Sequence, residues 1–172
     1  ISYSGAFGVK YNSILSANTF LQNAIVFSGV SIVSEEEILL KDYIATTDNI
    51  NKMDNSKITW SSVLNHKVNP RLSLRSGFYF NTLQYKVEIE EREETNNTLE
   101  TLMNSKGRTE SIQAFAQANY KVNDKLTING GLHYLHLMLN NSYAVEPRLA
   151  LQYTINDVSS VNFGYGLHSQ IQ

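Results

Sequence analysis

The sequence predicts an all-β fold, an antiparallel up-and-down meander of about eight strands. Three observations carry that expectation. Apolar residues recur with a two-residue period, most clearly where Tyr143, Val145, Pro147, Leu149, Leu151, Tyr153 and Ile155 alternate with Ala144, Glu146, Arg148, Ala150, Gln152 and Thr154. Turn chemistry separates the periodic runs at Val68–Arg71, Asn123–Lys125 and Asn156–Ser159. Those short turns alternate with longer polar connections, which makes successive strands antiparallel hairpin partners.

Taken in order, Tyr3, Gly5, Phe7, Val9 and Tyr11 alternate with Ser2, Ser4, Ala6, Gly8 and Lys10, so the chain opens inside a strand. A short connection over Asn12–Asn18 is expected next. Thr19–Val33 is β-rich without clean faces, and Glu35-Glu36-Glu37 is expected to end it. The segment through Asp42, Asp48, Asn49, Asn51, Asp54 and Asn55 reads as a long exposed loop. Ile58, Trp60, Ser62, Leu64 and His66 then define a strand that stops before Asn69-Pro70. Leu72, Leu74, Phe78 and Phe80 occupy even positions, but Leu83, Tyr85, Val87 and Ile89 occupy odd ones. That phase change predicts a β-bulge near Asn81-Thr82. The acidic stretch from Glu88 to Glu110 reads as a solvated loop or a short helix, with a loop or strand extensions favoured, and Ile112–Tyr120 and Leu126–Tyr134 form the cleanest hairpin. Leu135–Leu139 is apolar on both faces. Val161, Phe163, Tyr165 and Leu167 mark the last strand.

Composition narrows the setting. The chain has 172 residues, net charge −2, ten tyrosines, two prolines and no cysteine, which excludes a disulfide framework and thiolate metal sites and gives nucleic acid no basic surface. No apolar run is long enough for a membrane helix, so a membrane role is open only to a closed barrel. Thirteen of the sixteen acids lie in Glu35–Asp54, in Glu88–Glu100 and at Glu110, away from most periodic segments. Short turns, long polar loops, strands of about ten residues and aromatic residues at strand ends are features of transmembrane barrels. Trp60, Tyr120, Tyr134, Tyr143, Tyr153 and Tyr165, with Tyr11, are the candidates for an aromatic girdle. A soluble β-barrel or β-sandwich binding module for a glycan or lipid shows the same alternation with its sense reversed. The polar face favours the lipid-facing sense, because it carries Thr, Asn, Gln, Ser, Gly and Ala rather than the charges that coat a soluble barrel.

The words Glu146-Pro147-Arg148 followed by Leu149–Tyr153, and the closing Tyr165-Gly166-Leu167-His168-Ser169-Gln170, resemble the barrel segment of TonB-dependent outer-membrane receptors of the Bacteroidetes type. That resemblance implies part of a transmembrane β-barrel in the bacterial outer membrane. It implies contact with outer-membrane lipid, and a plug domain and the TonB system as partners in the full-length protein. Residues 1–172 are then expected to be a partial barrel domain, a fragment of a longer receptor without its plug.

No catalytic constellation emerges, so the chain is not read as an enzyme and no cofactor is expected. His133 and His136 have the spacing of a metal pair, yet three residues apart on a strand they point to opposite faces. The acidic clusters lack the spacing of a calcium loop and read as solvated charge. Glu146, Arg148, Gln152, Asn129 and His133 are the candidates for the enclosed, lumen-facing wall. Glu146 and Arg148 share a face two residues apart, either lining a lumen or forming ion pairs with neighbouring strands that merely satisfy the two charges.

Overall fold

A computed structural model describes residues 1–39, 43, 45–93 and 98–169. Its elements are eight strands: β1 (Ser2–Ser16), β2 (Thr19–Leu39), β3 (Ala45–Lys67), β4 (Leu72–Arg92), β5 (Leu99–Lys121), β6 (Leu126–Leu137), β7 (Ser142–Asn156) and β8 (Ser159–Gly166). They form one sheet in sequence order, each strand bonded to the next, as the meander requires. Among the described residues, no helix is long and apolar enough to cross a membrane.

The strands outrun their apolar cores. β1 continues to Ser16, so the connection to β2 shrinks to Ala17-Asn18. β2 runs through Glu35-Glu36-Glu37 rather than stopping there, and β3 starts at Ala45, so Asp48–Asn55 is strand and not loop. Hydrogen bonding, not periodicity, holds these parts together. The Thr47 hydroxyl donates to Glu35, and Arg92 Nε donates to the Thr47 carbonyl at 2.8 Å. Asp42, Glu94 and Gln170 lie outside the described residues.

Asparagine opens four of the reversals. The side-chain oxygen of Asn69 accepts from the amides of Arg71 and Leu72, and that of Asn123 from Lys125 and Leu126, at 2.8–2.9 Å. Asn140 and Asn156 cap Ser142 and Val158 in the same way. This substitutes for a backbone turn and explains why a carboxamide stands at each place.

The bulge expected at Asn81-Thr82 is absent, because contacts of β4 with β5 keep one register through it. Lys121 donates to the Arg71 carbonyl, Gly77 lies beneath the Phe115 ring, Asn81 bonds Ser111, and Tyr85 lies on Gly107. Beyond Thr82 the apolar side chains therefore move to the face that Asn81 occupies. A register shift does occur between Thr154 and Asn156, in the β7–β8 hairpin.

The chain divides into two compact units. One comprises Ile1–Gly8, Val26–Ile58 and Thr82–Thr109; the other comprises Val9–Ile25, Thr59–Asn81 and Glu110–Gln172. The second holds all the buried apolar residues among those described, Val63, Leu135 and Leu137. A β-sandwich would bury a whole apolar face; here Phe7, Tyr143, Val145, Phe163 and Tyr165 are more than half exposed.

Candidate functional site

The β6–β7 ladder sets the site. Its register places His133 opposite Glu146, Gly131 opposite Arg148, Asn129 opposite Ala150 and Thr127 opposite Gln152. Odd residues of β6 and even residues of β7 thus share a face, joined by Phe115 and Asn119 of β5 and by Asn162 and Gly164 of β8. Gly131 is needed where the strands crowd, since a Cβ there would meet the Gln117 Cβ at 2.9 Å.

Glu146 is the centre of this face, with only 3% of its surface exposed. One carboxylate oxygen accepts from Arg148 Nη2 at 2.9 Å and faces His133 Nδ1 at 3.0 Å. The other accepts from the Ser169 amide at 2.7 Å. Because a carboxylate only accepts, His133 carries its proton on Nδ1 in this arrangement. Both oxygens of the buried acid are engaged, which offsets the cost of burying it. Arg148 keeps half its side chain exposed and lies 3.5 Å from His168 Nδ1.

Three of the five predicted wall residues, Glu146, Arg148 and His133, therefore form one network. Asn129 belongs to a separate pair with the Asn119 carboxamide, and Gln152 stands on the same face between Thr127 and Asn162. His136 faces Tyr143 on the other side of the sheet, apart from His133.

Periodicity missed two features of this face. The Ser169 link depends on the chain turning back after β8, which no spacing reveals. A buried polar relay runs from the Thr59 hydroxyl to Asn81 Oδ1 at 2.9 Å and from Asn81 Nδ2 to the Ser111 hydroxyl at 3.2 Å. Asn81 amid the apolar run of β4 was the available signal. Beside the relay, Tyr79 stacks on Phe115 at 6.0 Å and the Arg75 guanidinium lies 5.8 Å from the Phe115 ring. The second unit leaves a hollow of about 1160 Å³, lined in part by Tyr79, Phe115, Asn119, Asn129, His133 and Arg148.

The girdle candidates occupy the opposite face. Tyr120 pairs with Ile128, Tyr134 with Val145, Tyr153 with Leu126 and Tyr165 with Leu149. Trp60 meets Phe78 edge-on at 5.0 Å. Their exposures run from 38% for Tyr134 to 72% for Tyr143.

Comparison with known proteins agrees with this architecture. The family model described as "TonB dependent receptor-like, beta-barrel" matches residues 2–168. The outer membrane transporter YddB from Escherichia coli has a similar structure, with a TM-score of 0.64 at 12% identity over 95% of this chain. The chain spans 25% of that transporter's length. No curated protein sequence matches significantly.

Proposed function

The chain belongs to the TonB-dependent receptor-like β-barrel family, and from that premise we propose that it forms part of the membrane-crossing wall of an outer-membrane nutrient-uptake receptor. The observation that carries the reading is the exposed apolar face. Val145, Leu149, Tyr153, Phe163 and Tyr165 are 44–61% exposed on adjacent strands, an arrangement suited to lipid. The other face, with Glu146, Arg148, Gln152, Asn129 and His133, is then the lumen wall. Trp60, Tyr120, Tyr134, Tyr143, Tyr153 and Tyr165 are the interfacial aromatics. A plug domain, the TonB system and outer-membrane lipid are the partners of the full-length protein, and the bacterial outer membrane is its location. The wording around Glu146-Pro147-Arg148 supports a receptor of the Bacteroidetes type. No enzymatic step is proposed.

The unbroken register of β4 supports a membrane border within that strand. Leu72–Phe80 supplies about the length needed to cross the hydrocarbon, roughly 9–11 residues. Beyond it the same face carries Gln84, Lys86, Glu88 and Glu90. On neighbouring strands the face changes from Trp60 and Ile58 to Asp54 and Lys52, and from Ile112 to Glu110, Arg108 and Lys106. Past this border Lys86 and Lys52 approach Glu88 at 3.1 and 3.5 Å. The hydrogen bond from Lys86, followed by the charges of Lys52 and Lys86, holds the Glu88 carboxyl below its ordinary range.

Single cysteines test the facing, since this chain contributes no native thiol. In the full-length receptor in intact membranes, Gln152→Cys should react with a water-soluble maleimide. Leu149→Cys should resist until detergent is added. The reverse pattern would overturn the proposal.

A further inference from the structure

In the first unit, a second hollow of about 730 Å³ is lined by Ser4 and Ala6 of β1, Ser28 of β2, Lys57 of β3, Tyr85 of β4 and Thr109 of β5, among others. Its volume lies in the range of small-molecule sites, about 300–1,000 Å³. Small side chains on β1 and β2 keep its floor open, while two larger groups give it a definite chemistry.

The first is the Tyr85 ring, seated on Gly107 and 46% exposed. A Cβ at Gly107 would meet Tyr85 Cζ at 2.8 Å, so the glycine is what lets the ring lie on the sheet. The second is Lys57. Lys52 and Lys86 both bond Glu88, whereas no ion pair or hydrogen bond engages the Lys57 ammonium among the described residues. The continuous register puts Lys57 on the strand beside Leu83, about 5 Å away across the sheet.

From these groups we infer that the hollow binds a small organic anion with a flat apolar body. The body rests on the Tyr85 ring and Leu83, and the anionic group meets Lys57. A mostly apolar hollow with a few convergent polar groups is the usual form of such a site. Charge selects the ligand, because an ammonium with no carboxylate beside it favours an anion over its neutral isostere. The inference goes beyond the wall assignment and concerns a different face region from the Glu146 network.

The test is equilibrium binding to the full-length receptor in detergent micelles, with 1-naphthoate as probe and 1-naphthalenemethanol and acetate as controls. Naphthoate should bind saturably, and both controls at least tenfold more weakly. Lys57→Gln should weaken naphthoate about tenfold, the effect of losing a charge-assisted hydrogen bond, and leave naphthalenemethanol unchanged. Gly107→Ala, which displaces the Tyr85 ring, should weaken both aromatic probes. Circular dichroism checks the folding of each variant. Lys57 is exposed, so its replacement remains informative if Gly107→Ala fails to fold. Absence of saturable naphthoate binding, equal affinity for naphthoate and its neutral isostere, or an unchanged naphthoate affinity in Lys57→Gln would overturn the inference. Binding is read without lipid or transport, so such failure leaves the maleimide pattern, and the wall assignment resting on it, intact.

Discussion

Glu146 is buried as an anion only because arginine, histidine and a backbone amide converge on it. Removing the acid and removing one donor therefore have unequal consequences. Glu146→Ala leaves the His133 ring and the Ser169 amide without their acceptor and should lower unfolding stability by about 2–4 kcal/mol in denaturant titrations of the reconstituted receptor. Arg148→Ala leaves the carboxylate two partners and should cost less, about 1–2 kcal/mol. Lys121→Ala, at an exposed strand end, should change stability by under about 0.5 kcal/mol. Equal losses for Arg148→Ala and Lys121→Ala would show that the network adds nothing beyond solvated charge. The ion pair forms within β7, between Glu146 and Arg148 themselves, rather than with neighbouring strands as expected, and His133 of β6 is the cross-strand contact.

For the strands, side-chain direction decides the cost of a charge. On the proposed facing, Leu151→Arg points at lipid and should reduce assembly yield in bilayers, at a cost of roughly 2–4 kcal/mol, while Gln152→Arg is tolerated. The border on β4 gives a sharper comparison on one face of one strand. Phe78→Arg should block assembly and Gln84→Arg should not; similar yields would remove the border. The turns contribute separately. Asn123→Ala forfeits two amide bonds and should cost about 1–2 kcal/mol, measured by the same titration.

The hairpins were legible in the sequence because their two faces differ chemically, as in β5 through β8. The early part of β3 and the late part of β2 were not. Asp48, Asn49, Asn51 and Asp54 place polar groups on both faces, so the two-residue period vanishes although the ladder continues. The phase change after Phe80 was legible but admitted two causes, a bulge in the backbone or a change in surroundings. Pairing with β5 distinguishes them. Glu146 and Arg148 were identifiable by their shared parity, whereas the approach of His133 required the β6–β7 register, and that of Ser169 required the path after β8.

At the level of the whole molecule, every strand among the described residues pairs only with its neighbours in sequence, leaving β1 and β8 with one partner each there. Hairpins of this kind close quickly, because little chain entropy is lost in bringing their strands together. The outer edges of β1 and β8 are different: in lipid each unpaired backbone group costs several kcal/mol. Taken alone, the 172-residue chain in micelles should therefore associate through those edges, with a sedimentation coefficient that rises with protein concentration. A concentration-independent monomer would contradict this. The kinetic consequence is a division of labour in folding: neighbour-to-neighbour zippering is rapid and reversible, and the slow, committing event is the covering of the two remaining edges.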